Sequence, residues 1–187
     1  MEHRIDEPSP SVAPTKDAPQ ANWRDLREWL ALVERNNELL RITKPVSADE
    51  ELAAITYMAT RGEKAPALLF ENVEGDKSGA RVLANMLGSS KERYALAVGL
   101  DPDLSTAEMI AETRVIMSRR IAPRRIPKAQ APVNEVVLRG SDIDLTQFPS
   151  PKFWPGDGGR YIGTGDITLT ASPDTGRINV GCYRQML

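Results

Sequence analysis

The chain has 187 residues, 41% hydrophobic and 27% charged, with a formal net charge of −2. That length can bury a sizeable core, and the near-neutral balance argues against general attraction to nucleic acid. No apolar run approaches the ~18 residues of a membrane helix, and the N-terminus lacks the basic start and apolar core of a signal peptide; a cytoplasmic protein without a membrane partner is expected.

Residues 1–21 read as a disordered tail, since Pro, Ser, Ala and charge dominate and leave little apolar surface to offset ordering entropy. An N-terminal α/β domain is expected over 22–120. Leu26, Trp29, Leu30 and Val33 recur at helical spacing and predict a helix over Trp23–Arg35 with Asn22 as N-cap. Leu39–Ile42 reads as a strand, and Asp49 is a candidate cap for a helix over Glu50–Arg61 closed by Gly62. The apolar runs Ala67–Glu71 and Arg81–Met86 suit buried strands. Ser89 or Ser90 can cap a helix to Val98, and Ser105 with Glu108 forms a capping box for a helix over Thr106–Arg119.

Residues 121–133, with Pro123, Pro127 and Pro132 among basic residues, read as a linker. The cluster of Arg114, Arg119, Arg120, Arg124, Arg125 and Lys128 reads as a solvated helix end, because no aromatic residues interleave with it for base stacking. Beyond it, Asn134–Leu138 is predicted as a strand and Asp142–Phe148 as an irregular acidic edge. Tyr161–Thr170 and Ile178–Met186 are predicted as strands joined by a turn at Ser172–Gly176. The fold class is therefore α+β: a mixed α/β domain, then, over 134–187, the opening strands of an antiparallel barrel that the chain does not complete.

The chemistry-bearing residues are few. Cys182 is the only cysteine, which excludes an internal disulfide and a cysteine zinc cluster, and His3, the only histidine, lies in the tail, so a histidine-based triad is not expected in these residues. Catalysis here must rest on carboxylates, arginine, amides or a bound cofactor. The richest segment is Trp154-Pro155-Gly156-Asp157-Gly158-Gly159, a turn whose glycines permit positive φ and close backbone approach.

Pro-x-x-Trp-Pro-x-Asp-Gly-Gly-x-Tyr-Ile-x-Thr over 151–164, followed by Asn-Val-Gly-x-Tyr-Arg over 179–184, resembles the UbiD family of reversible non-oxidative decarboxylases. Trp23–Leu30 with Glu38–Ile42, Pro66–Val73 and Asn85–Ser89 extend the resemblance across residues 23–187. It implies decarboxylation of an aromatic or α,β-unsaturated carboxylic acid, with prenylated FMN, a divalent metal (Mn²⁺ or Mg²⁺) and K⁺ admitted beside it. It also implies a split β-barrel that binds flavin, a flavin prenyltransferase as cofactor supplier, and a homo-oligomer in the full-length form. The different-class alternative is a flavin-binding or interaction module without turnover.

By this resemblance Asn179 is the metal ligand, and an amide oxygen suits a hard cation. Thr164, Cys182, Tyr183 and Arg184 match flavin-contacting positions. Arg184 is the expected catalytic residue, a bidentate clamp on the substrate carboxylate. Asn179 and Arg184 are five apart, so strict strand alternation sets them on opposite faces unless the strand bends, with Gly181 the residue that would permit it. The family's later metal ligands and its acidic proton donor have no counterpart in these residues, so residues 1–187 alone are expected to be inactive.

Overall fold

Apolar runs too short for helices, placed between amphipathic helices, build a small three-stranded sheet with both faces covered. The computed structural model describes residues 21–88, 90–119, 124 and 126–187. The expected tail over 1–20 and most of 120–125 lie outside the described residues. The strands β1 (Leu39–Ile42), β2 (Ala67–Phe70) and β3 (Val82–Ala84) lie in the order β1-β2-β3. β1 runs parallel to β2, with Leu39 opposite Ala67, and β3 runs antiparallel to it, with Leu68 opposite Ala84.

All four residues of β2 are buried, as a central strand covered on both sides requires. Alternation splits them. Leu68 and Phe70 join Leu52 of α2 (Glu51–Ala59), Val46, Ala48 and Val73 in one core. Ala67 joins Trp29 and Val33 of α1 (Leu26–Arg35) in another. Helix α3 (Lys91–Val98) packs on α4 (Thr106–Ser118) through Ala95, Leu100 and Met109.

The helix starts correct two expectations. α1 begins after Asp25, whose carboxylate accepts from the Arg27 and Glu28 amides at 2.9 and 3.0 Å, while Trp23 is drawn away by donating its indole N–H to the Leu96 carbonyl. Asn22 is therefore not the cap. α2 is preceded by Glu50 in the left-handed region, φ 67°, with no side-chain cap, and it ends at Ala59, short of Arg61. Asp49 is not its cap, because residues 48–50 are occupied in pairing with Lys152. The Ser105–Glu108 capping box forms as read, and Ser90 caps α3 by accepting from the Arg93 amide.

Arg93 is the buried organiser of this region, 1% exposed. Its guanidinium pairs with Glu38 at 2.7 Å and donates to the carbonyls of Ala65 at 2.7 Å and Met86 at 3.0 Å, while the Ser90 hydroxyl donates to the same Glu38 carboxylate at 2.6 Å. A buried guanidinium is tolerated when its donors all find acceptors, and here they tie the ends of three strands to the start of α3.

The strand expected over Asn134–Leu138 does not form. Pro132 opens a single 3-10 turn in which Asn134 and Glu135 donate to Ala131 and Pro132, and Val136 and Val137 stay exposed with no strand beside them. Residues 140–147 add two further 3-10 turns. β4 (Tyr161–Ala171) and β5 (Ile178–Met186) make an antiparallel hairpin whose strands pair only with each other among the described residues. The α+β class holds, and among the described residues no closed barrel is present. Among the described residues no helix is long and apolar enough to cross a membrane.

Candidate functional site

The glycine-rich turn is fixed by backbone pairing. The Lys152 N–H donates to the Ala48 carbonyl at 2.8 Å, the Lys152 carbonyl accepts from the Glu50 N–H at 3.1 Å, and Lys152 Nζ meets Glu50 Oε1 at 2.8 Å. Trp154 then stands edge-on to Tyr57 of α2, ring centroids 5.8 Å apart. Asp157 closes the turn on itself by accepting from the Phe153 and Trp154 amides. None of Gly156, Gly158 and Gly159 adopts a positive φ, which corrects one half of the conformational argument for them. The other half stands at Gly159, where an added Cβ would lie 3.1 Å from the Leu187 carbonyl oxygen and 3.2 Å from Met186.

The hairpin register sets the faces. Asn179 lies opposite Thr170, Gly181 opposite Thr168, Cys182 opposite Ile167 and Tyr183 opposite Asp166, one for one. The irregularities fall in β4 instead. Between Gly163↔Gln185 and Asp166↔Tyr183, β4 spends three residues where β5 spends two, so Thr164 and Gly165 both stand across from Arg184. Gly181 is therefore not the bend expected in β5; its role is to leave room for the Tyr183 ring, which lies directly over its Cα.

Alternation then places Asn179, Gly181, Tyr183 and Gln185 on one face with Asp166, Thr168 and Thr170, and Gln185 donates to the Thr168 hydroxyl at 3.0 Å. Cys182 and Arg184 lie on the other face with Ile167, Leu169, Ile178 and Val180. Gly165 is on that side, since its Cβ would meet Cys182 Sγ at 3.7 Å. The structure thus brings Thr164 and Cys182 beside Arg184 and separates Asn179 from it. Asn179, Cys182, Tyr183 and Arg184 are all exposed.

Asn179 shares an open hollow of about 410 Å³ with Thr170, Ala171, Ser172 and Arg177. An amide oxygen suits a hydrated hard cation, and the hydroxyls and guanidinium around it suit the oxygens of a phosphate. The chemistry of this donor set suits a phosphoryl group and offers one amide ligand to a divalent cation. Among the described residues no group of three or more His, Cys, Asp or Glu stands where it could complete a metal shell.

Two residues escaped the sequence reading. Lys152 anchors the turn to α2, and its partner Glu50 lies 102 residues earlier, beyond any local pattern. Asp166 is half-buried, packs its carboxylate onto the Cα of Gly163 and has one oxygen buried without a partner among the described residues. The signal available was a lone acid inside a β-rich run, preceded by Gly163 and Gly165.

The model of the 3-octaprenyl-4-hydroxybenzoate carboxy-lyase N-terminal domain matches residues 30–113, and that of the Rift-related domain of the same enzyme matches 124–187. The chain belongs to the UbiD family.

Solved structures agree. Vanillic acid decarboxylase of Sedimentibacter hydroxybenzoicus, in open form, is 31% identical with a TM-score of 0.76 over 87% of this chain and 35% of that one. An evolved dimeric form of the UbiD-class enzyme HmfF from Pelotomaculum thermopropionicum, in complex with prFMN, is 31% identical with a TM-score of 0.72 over 85% and 35%. The 3,4-dihydroxybenzoic acid decarboxylase of Klebsiella pneumoniae, 24% identical with a TM-score of 0.71 over 88% of this chain and 35% of that one, shares the fold. The chain spans about a third of the length of the solved chains it matches.

Proposed function

We propose that this chain forms the N-terminal part of a non-oxidative decarboxylase acting on an aromatic or α,β-unsaturated carboxylic acid with prenylated FMN. The supporting observation is the likeness to HmfF, a chain that binds prFMN, across both the helical unit and the hairpin. Prenylated FMN, when bound, supplies the electron sink for the pair released as CO₂ leaves. Asn179 contributes an amide oxygen to a divalent cation, Mn²⁺ or Mg²⁺, with K⁺ as an accompanying ion. Thr164, Cys182 and Tyr183 contact the flavin. Arg184 orients the substrate carboxylate, because its fork matches two oxygens at once.

The division we propose is an α/β unit over 22–120, a linker over 121–133 and the flavin-binding unit from 134 onward. A flavin prenyltransferase supplies the cofactor, the complete assembly is a homo-oligomer, and it works in the cytoplasm. The opposite faces of Asn179 and Arg184 favour a second reading, a flavin-binding or interaction module in which the hairpin anchors cofactor without turnover.

The test is to co-express the protein with a flavin prenyltransferase, purify it and measure flavin, metal and CO₂ release from a panel of aromatic and acrylic acids. Asn179→Ala should lose flavin and metal together. Arg184→Ala should keep the flavin spectrum and lose CO₂ release, with Arg184→Lys rescuing little. Flavin retained with no CO₂ release from any acid selects the module; no flavin uptake overturns both.

A further inference from the structure

Away from the hairpin, a cavity of about 520 Å³ opens between α3 and α4. One wall is a helical stripe of α4, Thr106, Met109, Ile110, Thr113 and Arg114, and the facing wall includes Lys91 and Tyr94 of α3. Met109 is buried, while Ile110 stays 58% exposed and presents apolar surface to the opening.

Two polar groups of the wall, Tyr94 and Thr113, are paired with each other. The Thr113 hydroxyl donates to the Met109 carbonyl at 2.7 Å, which leaves its oxygen to accept from the Tyr94 hydroxyl at 2.9 Å. The cations are different. Lys91 Nζ donates once, to the Leu104 carbonyl at 2.9 Å, and keeps further N–H donors; among the described residues neither Lys91 nor Arg114 is in an ion pair. The cavity therefore offers apolar contact inside and positive charge at its edge.

We infer that this cavity binds a small apolar carboxylate, its hydrophobic body against Tyr94, Met109 and Ile110 and its carboxylate between Lys91 and Arg114. The size falls within the few hundred to about 1,000 Å³ typical of small-molecule pockets. An inorganic anion would leave the apolar wall unmet, and a neutral hydrocarbon would leave the cations unmet. The site lies on α3, α4 and the turn of Gly88 and Ser90 before α3, and shares no residue with the hairpin.

The test is amide NMR of the ¹⁵N-labelled chain titrated with sodium 4-fluorobenzoate, with 4-fluorobenzyl alcohol as the neutral match. The expected result is saturable shifts centred on Lys91, Tyr94, Ile110 and Thr113, with the alcohol and Arg114→Gln each weaker by about tenfold or more. Ile110→Trp, which fills the opening, should abolish them. Arg114 and Ile110 are both exposed, so neither change removes a core contact. Shifts that do not saturate, that fall on β4 and β5 instead, or that are indifferent to Arg114→Gln would overturn the inference.

Discussion

Lys152 and Glu50 meet twice, once through backbone and once through side chains, although 102 residues separate them. Glu50 is also one of three non-glycine residues in the left-handed region among the described residues, at φ 67°. A strained residue persists where its surroundings over-determine it, and here the surroundings are the segment at Lys152 that leads into the glycine-rich turn. The Lys152 ammonium is held above its usual pKa, chiefly by its hydrogen bond to Glu50. A raised pKa in the folded state means stabilisation that is complete below the unfolded value of about 10.4 and is lost as pH rises through the folded one. Thermal denaturation followed from pH 8 to 12 should therefore show an alkaline fall in Tm that Lys152→Met removes while lowering the plateau. An unchanged plateau would mean that the backbone pairing suffices.

Removing Arg93 should be far more costly. Arg93→Met takes the guanidinium away from the Glu38 carboxylate and the Ala65 and Met86 carbonyls, and breaking a buried pair from one side costs about 3 kcal/mol or more. Urea unfolding measures it, and Glu38→Gln in the Arg93→Met background should recover part of the loss.

Gly181→Ala probes the site without touching a proposed ligand. The new methyl would overlap the Tyr183 ring, and Tyr183 is 55% exposed, so the ring can swing away at little cost to stability. The expected outcome is a near-normal Tm with weakened flavin uptake, read by absorbance after gel filtration. Full uptake would remove the Tyr183 ring from the binding surface.

The face of the hairpin that holds Ile167, Leu169, Ile178 and Val180 is apolar, and each of these is at least 61% exposed. Such a face promotes association, so light scattering should report oligomers of this chain at micromolar concentration. Leu169 and Val180 stand directly opposite. Leu169→Lys with Val180→Glu should form a cross-strand pair and shift the population toward monomer.

Legibility from sequence followed the range of the forces involved. The Ser105–Glu108 box was readable because it depends on neighbours within four residues, and β1 because it and its partner β2 are both short apolar runs. The start of α2 was not, since Lys152 arrives from far along the chain and takes the backbone that Asp49 would have capped. The false strand at 134–138 had suitable β-branched residues, but a strand needs a partner edge, and none is supplied there. In the candidate site the motif named the residues and alternation named their faces, while the bulge that sets Thr164 across from Arg184 depends on how β4 pairs and left no mark in β5.

That bulge also governs which changes in chain length β4 can survive. Deleting one residue between Gly163 and Asp166 would turn three against two into two against two, a regular ladder in which every residue on either side keeps its face. The same deletion anywhere from Ile167 to Thr170 would invert the strand and carry leucine and isoleucine to the polar side. Among related sequences, single-residue gaps in this strand should therefore collect at Thr164–Gly165 and be absent beyond it.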